Sequence, residues 1–206
     1  MTEQDSEKVG ILLARLHKHS SSWQLPDGFE RPQFGSDCIM EILSALENTT
    51  LAFTNDCMEA INSEAEKAMY LLDTYERTNA TWGIIHADII PPNLLYYKDE
   101  IRPIDFSACG FGYFLWDIAT TLPFVPIQFR KSLLDAYNKH FPLPENHIEL
   151  IEGFFVACSL QVPGFFLNLP DATEWMPDEY EKFSQRELRR YIEGRSFLFE
   201  GKPSYE

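Results

Sequence analysis

Residues 84–122 contain the side chains whose types and spacing suit chemistry. The run His86-Ala87-Asp88-Ile89-Ile90-Pro91-Pro92-Asn93 sets a carboxylate and an amide five positions apart after an apolar strand, and a short hairpin returns the chain to a second acid in Ile104-Asp105-Phe106. Loops that transfer phosphoryl groups have this layout, because the reaction asks a protein mainly to position a hydroxyl and to neutralise phosphate charge. Asp88 has the chemistry to accept or orient the proton of an attacking hydroxyl. The amide oxygen of Asn93 and the carboxylate of Asp105 suit Mg2+, a hard cation that takes oxygen ligands. His86, at the strand end, is expected to brace the loop. Each of these residue types is more often structural when met alone; it is the spacing of the four together that speaks for a site.

The elements that must hold this loop follow from the pattern around it. Trp82–Ile85 reads as a short apolar strand feeding the loop, and residues 94–97 and 101–104 flank Lys98-Asp99-Glu100 as a hairpin. Residues 113–122 read as a helix ending before Pro123, with Asp117 in its first turns. There Asp117 either braces the loop by hydrogen bonds or is an exposed helix residue. Thr2 and Asp5 form a capping-box pair, after which Val9, Leu12, Leu13 and Leu16 fall on one face of a helix over residues 4–19. His17 and His19 close that helix, where cations suit the terminus. Further helices are expected over residues 37–46, 56–75, 127–140, 144–160 and 177–199. The 17-residue run 153–169 holds no charge, but Gln161, Pro163, Gly164 and Asn168 interrupt it. It reads as a buried core helix broken at Pro163-Gly164 rather than a bilayer span, which needs about 20 apolar residues.

With 206 residues, 45% of them hydrophobic, the chain suits a single domain over residues 1–206. Its formal charge of −15 speaks against nucleic acid or an anionic membrane as partner, since both select basic patches. Cys38, Cys57, Cys109 and Cys158 have no metal-ligand spacing and read as reduced thiols of a cytoplasmic protein, with Cys109 a packing residue despite its closeness to the loop.

The motif His86-x-Asp88-x-x-x-x-Asn93, followed by Ile104-Asp105-Phe106, resembles that of the aminoglycoside phosphotransferase and choline/homoserine kinase-like superfamily. Two flanks carry the same resemblance: Cys109-Gly110-Phe111-Gly112-Tyr113-Phe114-Leu115-Trp116-Asp117-Ile118-Ala119 downstream, and Leu13-Ala14-Arg15-Leu16-His17 with Leu25-Pro26-Asp27-Gly28-Phe29-Glu30-Arg31-Pro32 upstream. It implies an α+β, mostly helical, protein-kinase-like C-terminal lobe in which a small β-hairpin carries the catalytic loop. It also implies ATP and Mg2+ as cofactors and a small-molecule hydroxyl as acceptor, with Asp88 as base, Asn93 and Asp105 as metal ligands, and Leu95 and Ile104 forming one wall of the nucleotide-base pocket. As plain strand residues, Leu95 and Ile104 would instead be core. Ala87 and Pro92 stand where relatives often have Gly, and Ser107 where many have an acid; none of these departures removes a ligand or the base.

A complete kinase of this type opens with a β-rich lobe carrying a phosphate-covering loop, a strand Lys and a helix Glu. Residues 1–35 supply none of these, so the chain is expected to start at the lobe boundary. The surface so bared is expected to be covered by the N-terminal segment, by a separate lobe or by self-association. The readings are therefore an enzyme, a catalytically inactive remnant or binding module of the same family, and a scaffold in which the loop is only structural.

Overall fold

The computed structural model describes residues 1–48, 51, 53–167, 169 and 171–200. Its contacts cluster into two compact units, the first made of Met1–Phe34 and Glu76–Ile151, the second of Gly35–Tyr75 and Glu152–Glu206.

The first unit opens on α1 (Glu3–Ser20). The capping box forms as the sequence implies: the Thr2 hydroxyl accepts from the Asp5 amide at 3.2 Å, and the Asp5 carboxylate accepts from the Thr2 amide at 2.9 Å. α1 lies against α5 (Ile127–Asn138) so closely that a Cβ on Gly10 would stand 2.2 Å from the Leu133 carbonyl oxygen. Only a hydrogen at this position lets the two backbones touch.

Four short strands build two antiparallel pairs. β1 (Trp82–Ile85) pairs with β4 (Gly110–Tyr113), with Trp82 opposite Tyr113 and Ile85 opposite Gly110. β2 (Leu94–Tyr97) pairs with β3 (Glu100–Pro103), Leu94 opposite Pro103. The β2–β3 turn consists of Lys98 and Asp99, both at positive φ (46° and 63°), the backbone of a two-residue turn whose twist matches the strands. α4 (Phe114–Thr121) follows β4 directly, and its residues Phe114 to Ala119 are all buried. β4 lies outside the sequence expectation, which held one hairpin and began the helix at residue 113.

The second unit holds α2 (Ser36–Glu47), α3 (Asn55–Thr74), the later part of α6 (His147–Phe166), α7 (Ala172–Phe183), a π-helical turn (Ser184–Leu188) and α8 (Arg189–Ile192). The break expected at Pro163-Gly164 is absent, and α6 runs through it to Phe166. Proline lacks the amide that would bond the carbonyl four residues back. That carbonyl, on Ser159, instead accepts the Tyr180 hydroxyl at 2.5 Å. The helix therefore continues with its acceptor satisfied from outside. Long and apolar enough to cross a bilayer by length and composition, α6 is mostly buried within the protein. The expected helix over 177–199 ends instead at Ile192, where Gly194 takes φ +65° and its amide bonds the Tyr191 carbonyl at 3.0 Å, a glycine stop.

Candidate active site

β1 ends on buried Ile85 and delivers the chain into the loop of residues 86–93. The first two amides of that loop are held by one side chain. His86 N–H donates to Asp117 Oδ2 at 2.9 Å and Ala87 N–H to Asp117 Oδ1 at 2.6 Å. Asp117 is fully buried on α4, so its charge is compensated only by such donors. A third comes from α1: His17 Nε2 lies 3.1 Å from Asp117 Oδ2, while its Nδ1 meets the Tyr137 hydroxyl at 2.8 Å and its ring stacks on Phe114 at 4.6 Å. His17 is thus a buried part of the support rather than an exposed residue closing the helix end. The signal for this was present, because His17 continues the buried stripe of Val9 and Leu13 at four-residue spacing. Tyr137 carried no signal in sequence beyond its apolar helix face.

Beyond the two anchored amides the chain must turn sharply. Ala87 takes φ 64°, the left-handed region that favours glycine and that costs an alanine about 1 kcal/mol. The turn exposes part of Asp88 while Ile89 is fully buried and pins the loop from beneath. A single 3-10 turn, Pro91–Asn93, closes the loop with Asn93 N–H bonded to Ile90 O at 2.9 Å.

Asn93 reaches back across this turn. Its Nδ2 donates to the Asp88 carboxylate at 2.6 Å and to the Asp88 carbonyl at 3.1 Å. With both amide hydrogens so engaged, its oxygen is left as an acceptor for a further group. The β2–β3 ladder continues one step past Leu94 and Pro103, with Ile104 N–H bonded to Asn93 O at 3.0 Å. Asn93 and Asp105 are thereby carried to the same end of the hairpin. From the other side, His86 Nε2 donates to the Ile104 carbonyl at 3.1 Å and its ring packs on Phe106 at 4.5 Å, so both neighbours of Asp105 are tied to the loop.

Asp105 is solvent-exposed at φ 60°, and its Oδ1 accepts the Ser107 amide at 3.2 Å. The Ser107 hydroxyl, then its amide, and more weakly the charge on His86 hold the Asp105 carboxyl below the ordinary carboxylate value. It is a carboxylate at neutral pH. Cys109 is buried, and burial pushes its thiol up, away from the reactive thiolate, as a packing role requires.

Leu95 and Ile104 are not core: they remain 52% and 39% exposed, beside the exposed rings of Tyr96, Tyr97 and Phe106. The N-terminal segment does not cover them. No group of three His, Cys, Asp or Glu side chains stands ready for a metal among the described residues. The oxygen donors that the loop and hairpin do bring to one end are the ionised Asp105 carboxylate and the free Asn93 amide oxygen, a hard but incomplete set of the kind Mg2+ takes when it keeps waters and borrows phosphate oxygens.

The profile of the phosphotransferase enzyme family (APH) matches residues 2–149, which include every residue of this site. The chain belongs to that family. It is 26% identical over 168 residues to a homoserine kinase of Zymomonas mobilis, a stretch that is 72% of this chain and 52% of that enzyme. Among solved structures it is similar to a microcompartment-associated aminopropanol kinase (TM-score 0.73, 21% identity, 96% of this chain and 65% of that one). It is also similar to amicoumacin kinase in complex with AMP-PNP, Ca2+ and Ami (TM-score 0.69, 18% identity, 89% and 59%). A choline/ethanolamine kinase family protein from Mesorhizobium loti gives TM-score 0.66 at 15% identity, covering 98% and 71%. These place the family member in the protein-kinase-like fold, mostly helical with small sheets. The chain spans about half the length of the curated relative it matches.

Proposed function

We propose that this chain carries the catalytic loop and metal ligands of an ATP- and Mg2+-dependent phosphotransferase acting on a small-molecule hydroxyl in the cytoplasm. Asp88 accepts the proton of the acceptor hydroxyl as its oxygen attacks the γ-phosphorus and the bond to the β–γ bridging oxygen breaks. Asn93 holds the Asp88 carboxylate in place by its amide nitrogen and offers its oxygen to Mg2+, and Asp105 is the second ligand. Bound together with ATP, the metal supplies positive charge against the β- and γ-phosphates. His86 keeps Asp105 in position through Ile104 and Phe106, and Leu95 and Ile104 offer the apolar wall for the base. The observation that carries this reading is the bond between Ile104 and Asn93, which sets amide and second acid at one strand end beside Asp88.

The test is transfer of labelled γ-phosphate from ATP to a panel of small amino alcohols and aminoglycosides. Transfer to at least one acceptor is expected, with Asp88→Asn lowering kcat by about 10²–10⁴, the range for loss of a general base, while its unfolding midpoint stays put. Undiminished transfer by Asp88→Asn would remove Asp88 from the role of base.

A second reading is a binding module or remnant of the same family, without turnover of its own. It is favoured by the exposure of Leu95 and Ile104, which leaves the apolar face offered to the base uncovered among the described residues. The same assay separates the two: nucleotide binding without transfer to any acceptor favours the second. On either reading the exposed face around Leu95 and Ile104 is where a separate lobe or a second copy would sit.

A further inference from the structure

The second unit contains a cleft of about 410 Å3 that the phosphotransfer reading does not use. Its walls are the π-helical turn, α8 and the residues just after, and they include Arg186, Arg189, Arg190 and Arg195 with Glu187 and Glu193. In a chain of formal charge −15 with 17 lysines and arginines, four guanidiniums around one small space are an exception to the general balance.

Helical spacing explains three of them: Arg186, Arg189 and Arg190 are three and four residues apart and share a face. The fourth is brought in by the turn at Gly194, whose positive φ reverses the chain so that Arg195 N–H bonds the Arg190 carbonyl at 2.9 Å. The acids do not balance these cations. Glu193 is shared, with Arg189 Nε at 3.4 Å from one carboxylate oxygen and Arg195 Nη1 at 3.1 Å from the other. Arg186 Nε lies 3.9 Å from Glu187. Arg190 is half-buried with its Nε sealed from solvent, and no hydrogen bond or ion pair to its guanidinium exists among the described residues.

Arg189, Arg190 and Arg195 against the one carboxylate of Glu193 leave two positive charges in excess. The carbonyl end of α8 offsets part of this, since a helix C-terminus is equivalent to roughly half a negative charge. A half-buried guanidinium without a partner remains, and a charge removed from water is unfavourable until an anion meets it.

We propose that this cleft binds a small phosphate-bearing molecule, a phosphoanhydride or a phosphate monoester. A guanidinium presents a rigid fork that matches phosphate oxygens in pairs, and several forks from different sides suit a tetrahedral dianion better than a planar carboxylate. The volume exceeds that of a single phosphate group, which leaves room for a second phosphate or the body of an ester. This site is independent of the phosphotransfer chemistry and stands or falls without it.

The experiment is isothermal titration of the whole protein at low ionic strength with inorganic pyrophosphate, inorganic phosphate, glycerol phosphate and, as the carboxylate arm, citrate. Saturable one-to-one binding of a phosphate compound is expected, weakening steeply as chloride is added. Tighter binding of pyrophosphate than of glycerol phosphate identifies a phosphoanhydride ligand, and the reverse order an ester. Arg190→Gln and the more exposed Arg195→Gln are each expected to weaken binding about tenfold, the effect of losing one charge-assisted hydrogen bond. Lys131→Gln, the same change of charge on α5, is expected to leave it unchanged. Arg195→Gln keeps the test sound should Arg190→Gln unfold the protein, and circular dichroism checks both. No saturable binding of any phosphate, tighter binding of citrate than of all three, or an equal loss in Lys131→Gln would overturn the assignment.

Discussion

Replacing Asp117 by alanine takes the acceptor away from three buried or half-buried donors at once: the amides of His86 and Ala87 and the imidazole of His17. Breaking a buried charged group of this kind costs on the order of 3–5 kcal/mol, which urea unfolding of Asp117→Ala should read directly. A loss below about 1 kcal/mol, that of an ordinary exposed hydrogen bond, would mean Asp117 is not the anchor of the loop. At Asp105 the expectation concerns protons. The Ser107 hydroxyl and amide lower its carboxyl below the ordinary 3.8, so the stabilisation they give is present above that value and is lost as pH falls through the lowered one. Carboxyl-carbon NMR of Asp105 should therefore titrate below 3.8, and Ser107→Ala should move its midpoint back up. An unchanged midpoint in the variant would reassign the shift. His86, Asp88, Asn93 and Asp105 stood out in sequence because spacing within one loop is local. The partners of Asp117 did not, since His17 lies 100 residues away and only the fold brings it close.

At the scale of elements, α6 illustrates what a proline rule leaves out. Local chemistry says the helix breaks at Pro163, yet Tyr180 from α7 supplies the missing donor. Tyr180→Phe should leave the half-buried Ser159 carbonyl without it, a cost of about 1 kcal/mol by thermal or urea unfolding. A neutral substitution would show that α6 tolerates its proline unaided. β4 was hidden for the converse reason. Gly110-Phe111-Gly112-Tyr113 has the glycines that ordinarily weaken a strand. Gly110 is required by close approach, since a Cβ there would stand 2.5 Å from the Pro32 carbonyl oxygen, and a Cβ at Gly112 would displace the Ile85 side chain, whose Cδ1 lies 2.4 Å away. Long helices with an apolar stripe were legible, as α1, α3 and α5 show. Elements whose identity rests on a partner across the fold were not. Ala87 was legible in part, as a residue where relatives carry glycine, and its φ of 64° gives the physical reason.

For the molecule as a whole, the decisive features are an exposed hairpin face and two oxygen donors at its end. Leu95 and Tyr97, alternate residues of β2, and Ile104 and Phe106 after β3 leave large apolar side chains exposed at the hairpin, and exposed apolar surface of this kind can mark a binding surface. Next to it, two protein oxygens are too few to hold Mg2+ alone, and on the proposed function they share it with a nucleotide. Paramagnetic broadening reads this directly, with Mn2+ standing in for Mg2+ in amide-resolved NMR spectra of the whole protein. Mn2+ together with ATP is expected to broaden the amides of Asp88, Asn93, Ile104 and Asp105 first, Mn2+ alone to do so weakly, and Asp105→Asn to abolish the effect. Spectra in which Mn2+ with ATP leaves those four amides sharp, or broadens them equally in Asp105→Asn, would contradict the assignment of a metal–nucleotide site to this loop and hairpin.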